Sequence, residues 1–156
     1  MLIRSACFDD FKVYSRLYLE INDLHAAAHP DLFALTRIPP RDEEDFHIML
    51  SDPDQAVFIA EIDGEAAGFI NLVLREAPPL EILIGRRFAV VDSIGVNQRY
   101  RRQGAGQALM EHAARWAAEK GAVSIELTVY EFNQSAIAFY EDLGYTPLSR
   151  KLSKPL

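Results

Sequence analysis

The stretch Val96-Asn97-Gln98-Arg99-Tyr100-Arg101-Arg102-Gln103-Gly104-Ala105-Gly106-Gln107 restricts the fold of this chain more than any other segment. Before it runs Phe88 to Val96, the most strand-like stretch of the sequence. After it comes a helix pattern with Leu109, Ala113 and Trp116 on one face, closed by Gly121. Val123 to Tyr130 then alternates as a further strand. A strand, a glycine-bearing turn, a helix and a second strand make a crossover unit, so the two strands should be parallel with a right-handed connection. The rest of the sheet should be antiparallel. Ala56 to Ile62 and Ala66 to Arg75 are apolar runs separated by Asp63-Gly64, a tight hairpin signal.

The remaining segments complete one domain over residues 1–156. Met1 to Ala6 reads as a short edge strand. Asp9 or Asp10 caps a helix carrying Val13, Leu17, Ile21 and Leu24 as far as about His25. His29-Pro30-Asp31 breaks it, Pro39-Pro40 marks a second loop, and Asp42-Glu43-Glu44 gives an acidic first turn to a helix ending near Leu50. Ala77-Pro78-Pro79 opens a loop through Arg87, Asn133 to Leu143 is helical, and Gly144 onward reads as a last strand. The expected order is β-α-α-β-β-β-α-β-α-β, an α/β (α+β) fold with a mixed, mostly antiparallel sheet.

Composition excludes several classes of function. With 49% hydrophobic and 25% charged residues the chain is ordinary globular protein. No apolar run nears the length of about 20 residues that a membrane-spanning helix needs. The N-terminal MLIRSACFDD has no apolar signal segment, which gives a cytoplasmic expectation. The single cysteine, Cys7, allows no internal disulfide, and the four histidines do not cluster, so no metal site is expected. At the end of the first strand with no neighbouring His, Cys7 reads as a small buried hydrophobe rather than a nucleophile. A net charge of -7 argues against nucleic-acid partners. Arg86, Arg87, Arg99, Arg101 and Arg102 nevertheless crowd one stretch, which fits either a small polyanionic ligand or a solvated charge cluster.

The turn at 96–107 fits the anion reading. Gly104 and Gly106 leave backbone N–H groups open to close approach. The first amides of a helix lack partners within it and lie at the positive end of its dipole. A diphosphate is the natural occupant. A dinucleotide fingerprint would need a small residue where Leu109 stands, and a P-loop would need Gly-Lys-Ser/Thr, which the chain lacks.

What remains is Arg-x-x-Gly-x-Gly. With the strand before it, this resembles the coenzyme A loop of the GNAT superfamily (Gcn5-related N-acetyltransferases). Asn133-Gln134-Ser135-Ala136-Ile137-Ala138-Phe139-Tyr140-Glu141-Asp142-Leu143-Gly144-Tyr145 is similar to that family's C-terminal motif, and the resemblance runs from about Ala56 to Tyr145. It implies the GNAT sheet with helices on both faces and acetyl-CoA as co-substrate, with no metal. It implies cofactor contacts from Ile94, Gly95, Val96, Arg101, Arg102, Gln103, Gly104, Ala105, Gly106, Gln107, Asn133, Ala136 and Tyr140. Tyr140 takes the place of the acid that protonates the departing thiolate. A phenol with a pKa of about 10 is protonated at neutral pH and suits that task.

Acetylating an alkyl amine also needs an exit for the amine proton, because such an amine with a pKa of about 10.4 is mostly charged at neutral pH. With period two, Phe88, Val90, Asp92, Ile94 and Val96 share one face, and Asp92 is the only polar member of that row. A carboxylate buried there needs partners or a task. In diamine (spermidine/spermine) acetyltransferases of the superfamily an acidic residue lies at this place, so Asp92, directly or through a water, is the candidate base. Backbone amides near Ile94 to Val96 would polarise the thioester carbonyl. Gly95 is read there as compatible with a strand bulge and close ligand approach. Thr128 stands where protein N-terminal acetyltransferases of the ribosomal type carry a Glu, which favours a small-amine acceptor. His25, His29 and Asp31 lie where such enzymes meet their acceptors, though a histidine there also serves as a surface or capping residue. The expectation is direct acetyl transfer to a small primary amine in a ternary complex. The alternatives are a non-catalytic acyl-CoA-binding sensor or a protein/peptide N-acetyltransferase. Strand edges near the C-terminus would allow a homodimer.

Overall fold

The computed structural model describes residues 1–39 and 41–154. Of the Pro39-Pro40 loop, Pro40 therefore lies outside the described residues. Five strands form one sheet in the order β1-β2-β3-β4-β5: β1 (Leu2–Ser5), β2 (Gln55–Ile62), β3 (Glu65–Glu76), β4 (Arg87–Val96) and β5 (Ile125–Leu127). The first three pairings are antiparallel and β4 pairs parallel with β5, as the crossover pattern requires. Asp63 and Gly64 both take positive φ, 53° and 81°, in the hairpin between β2 and β3.

Four helices cover the two faces. On one face lie α1 (Phe11–Ala28) and α2 (Glu43–Ser51), where Tyr14, Leu17, Phe46 and Met49 pack onto Val57, Ile59 and Phe69. The edge of the Tyr14 ring meets the Phe69 ring at 5.0 Å between centroids. Asp42 caps α2, accepting from the Asp45 amide at 2.9 Å. On the other face, α3 (Ala105–Glu119) buries Ala105, Leu109, Met110 and Ala113 against Phe58, Ile70, Leu72 and Val91. The last helix, α4 (Gln134–Asp142), adds Phe139 and Tyr140 to the same layer.

Four expectations need correction. The buried stripe of α1 runs through Tyr14 and Leu17, while Leu24 is exposed, because the helix is rotated to lay Tyr14 on Phe69. Cys7 is exposed: β1 stops at Ser5, and the Cys7 N–H donates to the Asp10 carboxylate at 2.8 Å, opening a short 3-10 turn at Phe8–Asp10. The strand expected over 123–130 is only Ile125–Leu127. Among the described residues no strand follows Gly144. That glycine ends α4 at φ 87°, the Tyr145 amide bonds back to the Tyr140 carbonyl, and the segment beyond exposes Leu148 and Leu152 beside Pro147.

Candidate active site at the fork between β4 and β5

The shortness of β5 makes the site. Pairing between β4 and β5 stops at Val91↔Leu127, yet β4 continues to Val96, still bonded to β3. Among the described residues, no strand pairs with the other side of Asp92 to Val96. After Leu127 the chain leaves the sheet for α1, where Tyr130 and Phe132 pack on His25 at 5.7 and 5.6 Å between ring centroids. The two strands therefore fork, and the outer edge of β4 is left without a strand partner among the described residues.

A bulge sits at the fork. Val91 pairs with Leu72 and Ser93 with Asn71, so Asp92 is the extra residue. This overturns the expected face of five residues. Ala89, Val91, Ile94 and Val96 all pack towards α3, and Asp92 lies on the α1 side. Nor is Asp92 buried in an apolar row: its side chain is 42% exposed. Asn71 Nδ2 donates to Asp92 Oδ2 at 3.2 Å, and Arg41 Nη2 lies 3.6 Å from the same oxygen. Around this carboxylate, Asn71 Oδ1 and Ser93 Oγ are buried without a hydrogen-bond partner among the described residues, and the buried Tyr14 hydroxyl lies beside Arg41. Burial pushes the Tyr14 hydroxyl up to about 12.

Gly95 has a packing reason to be small. A Cβ there would stand 2.6 Å from Ile21 Cδ1, so α1 fills the space. Gly106 behaves likewise, because its Cβ would meet the Phe139 ring at 3.3 Å. Gly104 does have the backbone reason, with φ 84° at the N-cap of α3.

The turn before α3 holds the expected amides. The first helical bond runs from the Ala108 N–H to the Gly104 carbonyl, and no side chain caps the helix, so Ala105, Gly106 and Gln107 present their N–H groups ahead of the ladder. Arg102, at φ 62°, and Gly104, at φ 84°, both turn the backbone through the left-handed region here, a geometry that in general favours anions. Arg101 Nε donates to the Val96 carbonyl at 3.1 Å, which ties the turn to the end of β4. Gln103 Nε2 bonds the Arg99 carbonyl and Gln107 Nε2 bonds Glu111. The basic cluster read from the sequence divides. Arg86 pairs with Glu126, and Arg87 with Asp54 and Glu76, at the far end of β4. That end is roughly 30 Å away at the usual rise per strand residue.

Tyr140 sits on the α3 side, in a cluster that also contains Ile94 and Val96 of β4 and Leu127 of β5. Its ring packs against Phe139 and Tyr145 at 5.2 and 5.9 Å. Burial, with a lesser contribution from Tyr145, pushes its hydroxyl up to about 12, so it holds its proton at neutral pH. Asn133 caps α4, its Oδ1 accepting from the Ala136 amide at 3.2 Å and from Ser135 Oγ at 3.1 Å. Thr128 is exposed just past β5, at the mouth of the fork. His25 donates from Nδ1 to the Ile21 carbonyl at 2.8 Å and stands among Phe33, Tyr130 and Phe132, a packing position. His29 contacts Phe132 and lies 3.5 Å from an Asp31 that is 77% exposed. The structure thus gathers Asp92, the turn and α4 around the fork, and sets His25, His29 and Asp31 together at the end of α1.

Sequence reasoning missed Arg41, Asn71, Tyr14, Tyr18 and Ser93. Asn71 carried a signal, being the lone polar residue in Phe69-Ile70-Asn71-Leu72-Val73-Leu74. Arg41 carried none. Among the described residues no group of three or more His, Cys, Asp or Glu could hold a metal ion, and no helix is long and apolar enough to cross a membrane.

Known proteins resemble this chain in sequence and in fold. An uncharacterized N-acetyltransferase of Archaeoglobus fulgidus is 32% identical over 141 residues, covering 90% of this chain and 89% of that protein. A Bacillus halodurans protein of known structure superposes with a TM-score of 0.94 at 24% identity, covering 100% of this chain and 99% of that one. An aminoglycoside N-acetyltransferase in complex with CoA superposes with a TM-score of 0.74 at 19% identity, covering 99% and 98%. These two structures share the fold. The model of the Acetyltransferase (GNAT) family matches residues 18–145, and the chain belongs to that family of N-acetyltransferases.

Proposed function

We propose that the chain transfers the acetyl group of acetyl-CoA to a primary amine of a small molecule, directly, within a ternary complex. The observation that carries this is the fork. Its β4 edge is open from Asp92 to Val96, with unpaired amides of Ala105 to Gln107 at one end and Asp92 at the bulge. The residues fit the cofactor. The turn from Arg101 to Gln107 would receive its diphosphate, the edge Ile94-Gly95-Val96 its amide chain, and Asn133 and Ala136 at the start of α4 would flank that chain. Bound, the cofactor supplies an acetyl thioester.

Transfer forms one N–C bond and breaks one C–S bond, while a proton leaves the amine and another reaches the sulfur. Asp92, on the α1 side, is placed to take the first, directly or through a water. Tyr140, on the α3 side, holds the second. Its high pKa makes it a firm proton holder and a modest acid, so its part is to donate as negative charge develops on sulfur. The resemblance to diamine acetyltransferases and the presence of Thr128 support a small acceptor over a protein N-terminus. The outer edge of β5, which has no strand neighbour among the described residues, is where two copies would pair.

The test is thiol release from acetyl-CoA over a panel of small amines and peptides. The reading expects release with small amines. Cofactor binding without release on any amine would instead mark a sensor, and release with peptides alone a protein acetyltransferase.

A further inference from the structure

The surroundings of Asp92 specify the acceptor more narrowly, on the reading that the chain acetylates a small amine. We propose that the acceptor is an α-amino acid bound as its zwitterion, with its amine at Asp92 and its carboxylate at Arg41.

Arg41 and Asp92 face one another without closing. At 3.6 Å theirs is the longest ion pair among the described residues, just beyond Arg87 to Glu76 at 3.5 Å and Arg150 to Glu131 at 3.4 Å, and well beyond the 2.7 Å of Arg4 to Asp10 and the 2.6 Å of Arg86 to Glu126. It also exceeds the usual length of a charge-assisted hydrogen bond. Both side chains remain partly open, 28% for Arg41 and 42% for Asp92. Asn71, itself fully buried, fixes Asp92 through Nδ2. Asn71 Oδ1 and Ser93 Oγ are buried there without a hydrogen-bond partner among the described residues, and the buried Tyr14 hydroxyl lies beside Arg41. Burial raises the pKa of the Tyr14 and Tyr18 hydroxyls, and the nearby charge of Arg41 offsets part of that rise at both.

Such a pair matches opposite charges carried on one carbon. Standard bond lengths put the amine nitrogen of an α-amino acid roughly 3 Å from its carboxylate oxygens. A simple diamine would bring a second cation towards a site that already holds Arg41. A peptide N-terminus would offer an uncharged carbonyl where Arg41 favours an anion. In the proposed complex the amine nitrogen forms the amide as the thioester C–S bond breaks. The ammonium gives up two protons, one to free the lone pair and one as the amide forms, and both leave by Asp92 to solvent. Tyr140 protonates the departing sulfur and regains its proton from solvent, and the carboxylate stays ionised on Arg41.

The experiment measures thiol release with matched sets: leucine, leucinamide and 3-methylbutylamine, and the corresponding phenylalanine and lysine sets. The expected result is that kcat/KM for at least one acid exceeds that for its amide and its decarboxylated amine tenfold or more. Arg41→Gln should bring that ratio to about one, and Arg41→Lys should keep part of it. Amide or amine used as well as the acid, or an acid preference unmoved in an Arg41→Gln protein that still titrates with CoA, overturns the proposal. Release with simple amines but no amino acid overturns it while the acetyltransferase reading stands. No release with any member of the panel, despite CoA binding, ends both.

Discussion

Replacing Tyr140 with Phe should separate turnover from stability. The Tyr140 ring packs against Phe139 and Tyr145, and Phe keeps both contacts. The raised pKa of the hydroxyl arises from burial and the neighbouring Tyr145, with no hydrogen bond among its causes. Removing it therefore breaks no bond within the chain, and the unfolding free energy should move by less than about 0.5 kcal/mol. The chemical step loses its proton donor. General-acid contributions of about 10² to 10⁴ in rate correspond to roughly 3–5 kcal/mol of barrier. The assay is thiol release at saturating acetyl-CoA with any accepted amine, beside urea unfolding and calorimetric titration of CoA. Work at or below about pH 9 keeps the sign simple. With its pKa raised from 10 to about 12 in the folded state, the phenol contributes stability that is whole below pH 10 and lost as pH rises through 12. A Tyr140→Phe protein that binds CoA normally and keeps more than about half of kcat would refute the donor role.

Two further predictions concern the frame of the site. Gly95→Ala forces a Cβ within 2.6 Å of Ile21 Cδ1, so it should cost about 1–3 kcal/mol in urea unfolding. Ile21→Ala in the same chain should recover part of that loss, whereas simple additivity of the two substitutions would refute the contact. Asp10 accepts from Arg4 at 2.7 and 2.9 Å and from the Cys7 amide at 2.8 Å, and the Arg4 bond above all holds its pKa at about 2 instead of the ordinary 3.8. Because the folded value is depressed, the ion contributes about 2 kcal/mol above pH 4 and loses it as pH falls towards 2. Asp10→Asn should be less stable by about that amount at pH 7, with the gap closing by pH 2, and a gap independent of pH would contradict the pairing.

The parts of the fold set by local pattern were legible in the sequence. Asp63-Gly64 announced its hairpin, Gly121 the end of α3, and the strand–turn–helix run at 88–119 the crossover. What escaped depends on pairing between distant segments. Period-two alternation put Asp92 in a row with Ile94 and Val96, but the extra residue opposite Asn71 and Leu72 shifts every side chain after it to the opposite face. A bulge is a property of two strands, and one strand alone does not display it. The same limit hid the early end of β5, whose residues 128–130 have strand character but find β4 already diverging. It also hid why Gly95 and Gly106 are glycines, since Ile21 and Phe139, which occupy the space, lie far away in sequence. The turn before α3 was legible because its glycines and helix start lie within a dozen consecutive residues. Arg41 comes to Asp92 from the segment just before α2, far away in sequence, and leaves no mark there.

The central claim is that backbone amides at the start of α3 hold a diphosphate. Titrating CoA into isotope-labelled protein and following the amide resonances of Arg102, Ala105, Gly106 and Gln107 tests it directly. The account predicts large, saturable shifts at these four with CoA and little change with pantetheine, which lacks the diphosphate. Saturating CoA that leaves all four resonances in place would contradict it.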